Sequence, residues 1–380
     1  MRRFEKYLLL VLLVWLENSC KHSFDPPKPS FSSQILVVSG FINVGQDVST
    51  TITLSRAQNL SDTSIYTPEL NASVSLQQQN GPSYILPSQG DGNYTLDHLN
   101  LDPSYLYRIN ITTSDGAKFN SDYVPAKKVP AIDSLTWEQD KGVTIFVNTH
   151  DPADSTIYYR WDYIETWNYM SNLQTPWGIV DRQIFLKDSL TQTDSCWRTA
   201  NSTDVIIGSS LALNHDVISH QPVATIPQND EKISKRYSIL VRQYALTKEA
   251  YQFHQILQRN TQQTGSLFDP QPSQLSTNLH CLTNPDQPVI GFISASSVEE
   301  KRIFIKHQEV NDWNYPGTTI DCSVIFTFQD PNDFLIFDYP DTSYGPYYFQ
   351  SGGGMAVVKR SCTNCTYWGG TNVKPSFWNE

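Results

Sequence analysis

Asp162 and Glu165 stand three residues apart around Tyr163 in an aromatic segment, residues 156–169 (TIYYRWDYIETWNY). Two carboxyl groups held about 5 to 10 Å apart can cleave a glycosidic bond, one as acid and the other as nucleophile or base. The segment reads as a strand, however, and residues three apart on a strand point to opposite faces unless a bulge intervenes. The two carboxylates are therefore expected to diverge and to act as ion-pairing or hydrogen-bonding groups, with Arg160 or Arg242 as partners.

Beyond Cys20 the chain has five cysteines: Cys196, Cys281, Cys322, Cys362 and Cys365. In an exported protein such residues point to disulfides before metal or nucleophilic chemistry. Five is an odd number, so at least one thiol is left free or pairs with another chain. Cys362-Thr363-Asn364-Cys365 has the spacing of half a zinc site or of a redox motif, but a second CxxC is absent and no βαβ pattern precedes it. The expectation is a structural disulfide from one of this pair to Cys322 or Cys281.

Other catalytic signals are missing from the sequence. The eight histidines include His22 and show no HxH or HExxH spacing that would turn two imidazoles toward one metal. His254 falls beside the apolar face of a predicted helix and reads as a packed histidine. No GxSxG, GxxxxGK[ST] or GxGxxG occurs in a strand-turn-helix setting, and Gly352-Gly353-Gly354 reads as a turn between two strands. No enzyme activity, cofactor or metal is expected.

Binding is better motivated. Aromatic residues are dense in two runs, Trp161, Tyr163, Trp167 and Tyr169 in one and Phe334, Phe337, Tyr339, Tyr344, Tyr347 and Tyr348 in the other. Exposed rings stack on sugars or anchor protein interfaces. Core packing accounts for well over half of such residues in a β protein, which leaves Trp161, Trp167, Tyr339, Tyr344 and Tyr347 as binding candidates.

The elements that must carry these residues begin with a targeting segment. Arg2, Arg3 and Lys6 precede the apolar run 8–16, which at nine residues is too short to span a bilayer of about 30 Å. Residues 1–19 read as a signal peptide ending at Cys20, the thiol that a bacterial lipoprotein acylates. Of the three residues before it, Glu17, Asn18 and Ser19, only Ser19 suits a lipobox, so the alternative is an ordinary secretory signal with Cys20 as a disulfide half. The proline- and serine-rich residues 21–33 favour the anchor, because they read as a tether. Two or three acyl chains, at about 0.8 kcal/mol per buried methylene, hold a protein stably at a membrane.

Removing residues 1–19 takes away Arg2, Arg3 and Lys6 with Glu5 and Glu17, leaving 24 basic against 36 acidic side chains and a net charge of −12. A chain this acidic without a basic cluster is a poor partner for nucleic acid.

From residue 34 onward short alternating strands recur every eight to twelve residues, which predicts an all-β fold. Strands at 34–44, 49–55, 72–77, 84–86, 93–96, 103–113 and 118–123 predict an Ig-like or transthyretin-like sandwich over 34–128. Tyr105 or Tyr107 is its candidate tyrosine corner. Lys127-Lys128-Val129-Pro130 reads as a boundary. Residues 129–380 predict a second β-rich domain with one helix near 248–260, N-capped by Thr247, and a cysteine-containing tail.

The segments YYRWDYIETWNY, Cys196-Trp197, YSILVRQYALTKEAYQFHQILQRN, PVIGFISASSVEEKRIFI and CTNCTYWGGTNVKPSFW together resemble a lipoprotein family of Bacteroidota named domain of unknown function 4249. The resemblance runs from about Cys20 to Trp378. It implies an outer-membrane lipoprotein, at the cell surface or on the periplasmic face, often encoded beside a TonB-dependent transporter, and it supplies no catalytic residues. The expected function is an accessory lipoprotein that binds a partner envelope protein, such as that transporter, or its cargo, a glycan or peptide. A glycan-binding module of a polysaccharide-uptake system is the alternative, and a hydrolase a weaker one.

Overall fold

In the computed structural model the described residues are 35–57, 67–181, 183–188, 191–262, 276–317, 320–323, 325–330 and 343–378. The signal peptide, Cys20 and the tether lie outside them.

The fold is all-β, with a helical insertion. Its N-terminal part is a sandwich of a six-stranded and an eight-stranded sheet. Alternation builds it: in strand Gly45–Arg56, Ile52 and Leu54 point into the core, while Thr51 and Thr53 face outward and bond to Thr95 and Asn93 at 2.8 Å each. Tyr107 is the tyrosine corner, its buried ring sending the hydroxyl back to the Asp102 carbonyl at 2.8 Å, whereas Tyr105 is exposed. Burial and the nearby Asp102 push the Tyr107 phenol up to about 12.

The sandwich does not end at residue 128. Three later strands complete it: Leu279–Cys281 extends the larger sheet beside Lys118–Ser121, Val289–Gly291 pairs in parallel with Leu36–Gly40, and Ala295–Ser296 pairs with Val124–Lys127 and Ile42–Asn43. Leu279, Val289, Ile293 and Ala295 belong to its core. The division of the chain at 128 is thus corrected, because the sequence 289–296 reads equally well as a strand of either domain. Gly291 fits here at φ +139°, where a Cβ would run into the Val38 carbonyl.

The second unit packs a three-stranded sheet (Ile132–Asp140, Gly142–His150, Val217–Pro227) on a five-stranded one centred on Tyr158–Met170 and Arg236–Leu246. Val143, Ile145, Val147, Tyr159, Trp161, Ile239 and Val241 fill the space between. Helix Lys248–Gln262 follows Thr247, whose hydroxyl accepts from the Ala250 amide at 3.2 Å, so the expected cap is present. Phe253 anchors the helix against Phe292.

The Tyr158 end of the five-stranded sheet abuts the first sandwich through Phe41 against Tyr244, with ring centroids 4.7 Å apart, and through the Ala245 amide bonded to Ser296 Oγ. The Met170 end faces away and carries a third, smaller unit. There a hairpin, Trp177–Val180 with Gln183–Leu186, packs beside a sheet of Phe326–Phe328, Met355–Lys359 and Tyr344–Phe349. The three glycines at 352–354 close the turn of that sheet, as expected, with Gly352 and Gly353 at positive φ. Disulfides Cys196–Cys365 and Cys322–Cys362 fasten this unit, and the tail lays Phe377 on Arg302 and Trp378 on Arg236 and Phe304.

Candidate binding surfaces and cleft

Strand Tyr158–Met170 runs without a bulge against Arg236–Leu246, so its residues alternate strictly. Asp162 and Glu165 accordingly lie on opposite faces. Asp162 accepts from Arg242 Nε at 2.5 Å, Arg160 Nη2 at 2.7 Å and the Tyr244 hydroxyl at 2.9 Å. Both expected arginines are its partners. Glu165 is buried and accepts from Lys232 Nζ at 2.7 Å and the Tyr237 hydroxyl at 3.1 Å. Burial, then the Glu165 charge, hold the Tyr237 phenol well above its ordinary value.

The same alternation disposes of two binding candidates. Trp161 is wholly buried and donates to Gln243 Oε1 at 2.8 Å, while Gln243 donates to the Pro130 carbonyl and Thr149. Trp167 is 5 % exposed and donates to Glu231 Oε2 at 3.0 Å. Both are core residues whose indole N–H needed a buried acceptor. Tyr339 lies outside the described residues, as do Phe334 and Phe337.

Tyr344 and Tyr347 are half-buried on strand Tyr344–Phe349, where Tyr344 meets Phe326 edge-on at 5.3 Å and Tyr347 meets Tyr348 at 5.1 Å. A register shift between Pro346 and Tyr348 breaks the alternation, and the exposed rings are Tyr348 (43 %) and Phe349 (39 %). Trp177 of the neighbouring hairpin packs edge-on to Phe349 at 4.7 Å. Val180 (60 %) and Leu186 (64 %) of the hairpin are also exposed, as are Ile325, Phe326, Tyr367 and Val373 of the same unit. Between hairpin and sheet opens a hollow of about 270 Å³, walled by Trp177, Ile179, Phe185, Pro346 and Tyr367. In the sequence the hairpin residues fall in the short apolar runs Ile179-Val180 and Ile184-Phe185-Leu186, which signal strands but not their exposure.

Of the five cysteine candidates, Cys196, Cys322, Cys362 and Cys365 are paired and Cys281 is a buried free thiol. The link from Cys362 to Cys322 meets the expectation, and Cys365 takes Cys196 instead of Cys281. Cys281 is excluded by location, because its strand belongs to the first sandwich and the other four cysteines belong to the far end of the second. Among the described residues no group of three or more His, Cys, Asp or Glu side chains could hold a metal ion.

A larger cleft of about 530 Å³ opens at the Met170 end. Its walls come from three places: Met170, Ser171 and Asn172 after the long strand, Ser234 and Lys235 before the next, and His307 with the turn Trp313-Asn314-Tyr315-Pro316-Gly317. Trp313 is fixed by its N–H on the Asp230 carbonyl at 3.0 Å, and Tyr315 by its hydroxyl on Glu231 Oε1 at 3.4 Å. Among the described residues no carboxylate lines the cleft. The sequence offered one sign of it, two rings inside a Pro-Gly turn.

Among solved structures 61 chains match, one of them titled "Cytokine receptor complex - Crystal form 2". It is 14 % identical over 55 % of this chain and 90 % of that one, with a TM-score of 0.18, too slight a likeness to bear on fold or function. No curated protein matches. Residues 21–302 match the model of the family described as Domain of unknown function (DUF4249), and the chain belongs to that family.

Proposed function

We propose that this is a lipid-anchored binding protein of the bacterial outer membrane, held by an acylated Cys20, that docks a TonB-dependent transporter and performs no chemistry of its own. One observation carries the reading. Half of the large apolar side chains exposed among the described residues fall in segments 177–186 and 325–373, at the end of the molecule opposite the N-terminal strand. Apolar faces of this kind mark interaction sites, and Tyr, Trp and Phe supply much of interface energy. The first described strand, Leu36–Gly40, belongs to the other sandwich, so an anchor at Cys20 would leave these side chains within reach of a second envelope protein.

The experiment is cross-linking in native membranes. Wild-type protein should be in the membrane fraction and capture the transporter, and Cys20→Ser should release it. The double variant Tyr348→Ala, Phe349→Ala should lose capture by about thirtyfold, the equivalent of about 2 kcal/mol for a lost hot spot. Undiminished capture by the double variant, or turnover of a glycan or peptide by the purified chain, would overturn the proposal.

A further inference from the structure

The cleft at the Met170 end has a chemistry that the docking reading does not use. The chain carries 38 acidic and 27 basic side chains, yet among the described residues the ionisable groups lining this cleft are Lys235, His307 and the Tyr315 phenol. We propose that it binds an anionic sugar, a pyranose bearing a carboxylate.

Lys235 supplies the charge. It is exposed, and its ammonium meets no carboxylate among the described residues, so a ligand anion has no internal competitor for it. Glu231, which holds the Tyr315 hydroxyl, is also engaged by Arg198 Nη1 at 3.1 Å and Trp167 Nε1 at 3.0 Å. Its charge is met there instead of opposing an anion in the cleft.

The remaining lining suits sugar hydroxyls. His307 turns Nδ1 to the Ile233 carbonyl at 3.1 Å, which leaves Nε2 for a ligand. Asn314 is an exposed amide that can donate and accept. The Tyr315 ring, held by its hydroxyl, offers the apolar face against which a pyranose ring packs. The volume, about 530 Å³, falls in the usual range for small-molecule sites and accommodates one or two sugar rings.

This inference stands apart from transporter docking, because the residues of the two surfaces do not overlap. Its test is calorimetric titration of the full chain with digalacturonate, and with maltose and acetate as controls. Digalacturonate should bind, more weakly as salt rises, and neither control should match it. Lys235→Met keeps the alkyl stem and removes the charge, and should weaken binding at least tenfold with an unchanged melting temperature. Tyr315→Ala should weaken it as well. Equal binding of maltose would overturn the anion requirement, equal binding of acetate would overturn the sugar requirement, and absence of digalacturonate binding at millimolar concentration would overturn the site. None of these results depends on whether a transporter is captured.

Discussion

The Tyr169 hydroxyl donates to the Cys365 carbonyl oxygen at 2.9 Å, while Cys365 is itself bonded to Cys196 on the adjacent strand. One residue of the C-terminal unit is thus tied to the five-stranded sheet covalently and by a buried hydrogen bond. Arg198 lies over the Tyr169 ring at 5.0 Å and donates to the Trp368 carbonyl, adding a third tie.

These ties predict what reduction does. Closing a 169-residue separation restricts the unfolded chain strongly, and loss of a native disulfide typically costs about 2 to 5 kcal/mol. Cys196→Ala with Cys365→Ala should lower the unfolding free energy by that amount, read as a lower urea midpoint, and expose segment 360–378 to proteolysis. Digestion that leaves this segment intact while the midpoint is unchanged would show that the tail is held by packing alone.

Trp161 predicts a stability effect where the sequence suggested a binding one. Trp161→Ala removes the largest fully buried side chain and strands Gln243 Oε1 without its donor. A cost of about 3 to 5 kcal/mol is expected, read from denaturant unfolding. Tyr348→Ala, at an exposed ring, should cost less than about 0.5 kcal/mol by the same measurement. Similar costs would show that Trp161 and Tyr348 do not divide into a core ring and a surface ring.

The pair also shows where the sequence stops informing. Alternation located the strand and correctly separated Asp162 from Glu165, because period-two geometry is local. It gathers Tyr159, Trp161, Tyr163, Trp167 and Tyr169 on one face of Tyr158–Met170 but could not say whether that face is covered or open, since the covering sheet comes from Ile132–Asp140, Gly142–His150 and Val217–Pro227. Tyr107 was legible as a corner because its partner, Asp102, is five residues away. The cleft was not, because Lys235, His307 and Tyr315 meet only after two strands have paired.

Acid should destabilise the fold through His254. Burial and then the nearby Arg160 guanidinium push this imidazole down to about 3, against about 6.5 in the unfolded chain. Between those values the unfolded state binds the extra proton. Stability is therefore full above pH 6.5 and falls by up to about 1.4 kcal/mol per pH unit toward pH 3. His98 and His150, raised by Asp47 and Asp133, act in the opposite sense, but they are solvent-exposed and their effect is screened. Replacing His254 by Leu should flatten the slope between pH 6 and 4 in urea titrations. An unaltered slope would place the acid sensitivity in other groups.

The first sandwich should not fold from its contiguous sequence. A fragment of residues 34–128 keeps most of the strands but lacks Leu279–Cys281, Val289–Gly291 and Ala295–Ser296. Without them Leu36–Gly40 and Lys118–Ser121 become open edges, and Leu36 and Phe119 lose part of their cover. The missing core residues Leu279, Val289, Ile293 and Ala295 account for several kcal/mol of burial at about 25 cal/mol per Å², comparable to the whole stability of a small domain. The fragment should show broad amide resonances and no cooperative thermal transition. A second fragment that carries residues 276–297 after a flexible linker should recover both, with protected amides at Val37 and Val38, where parallel pairing with Val289–Gly291 is restored. If residues 34–128 alone gave dispersed resonances and a sharp transition, the later strands would be an accessory to a domain already complete. Recovery only with the linked segment would make the sandwich a discontinuous domain, in which folding of the first hundred residues waits for a segment synthesised some 150 residues later.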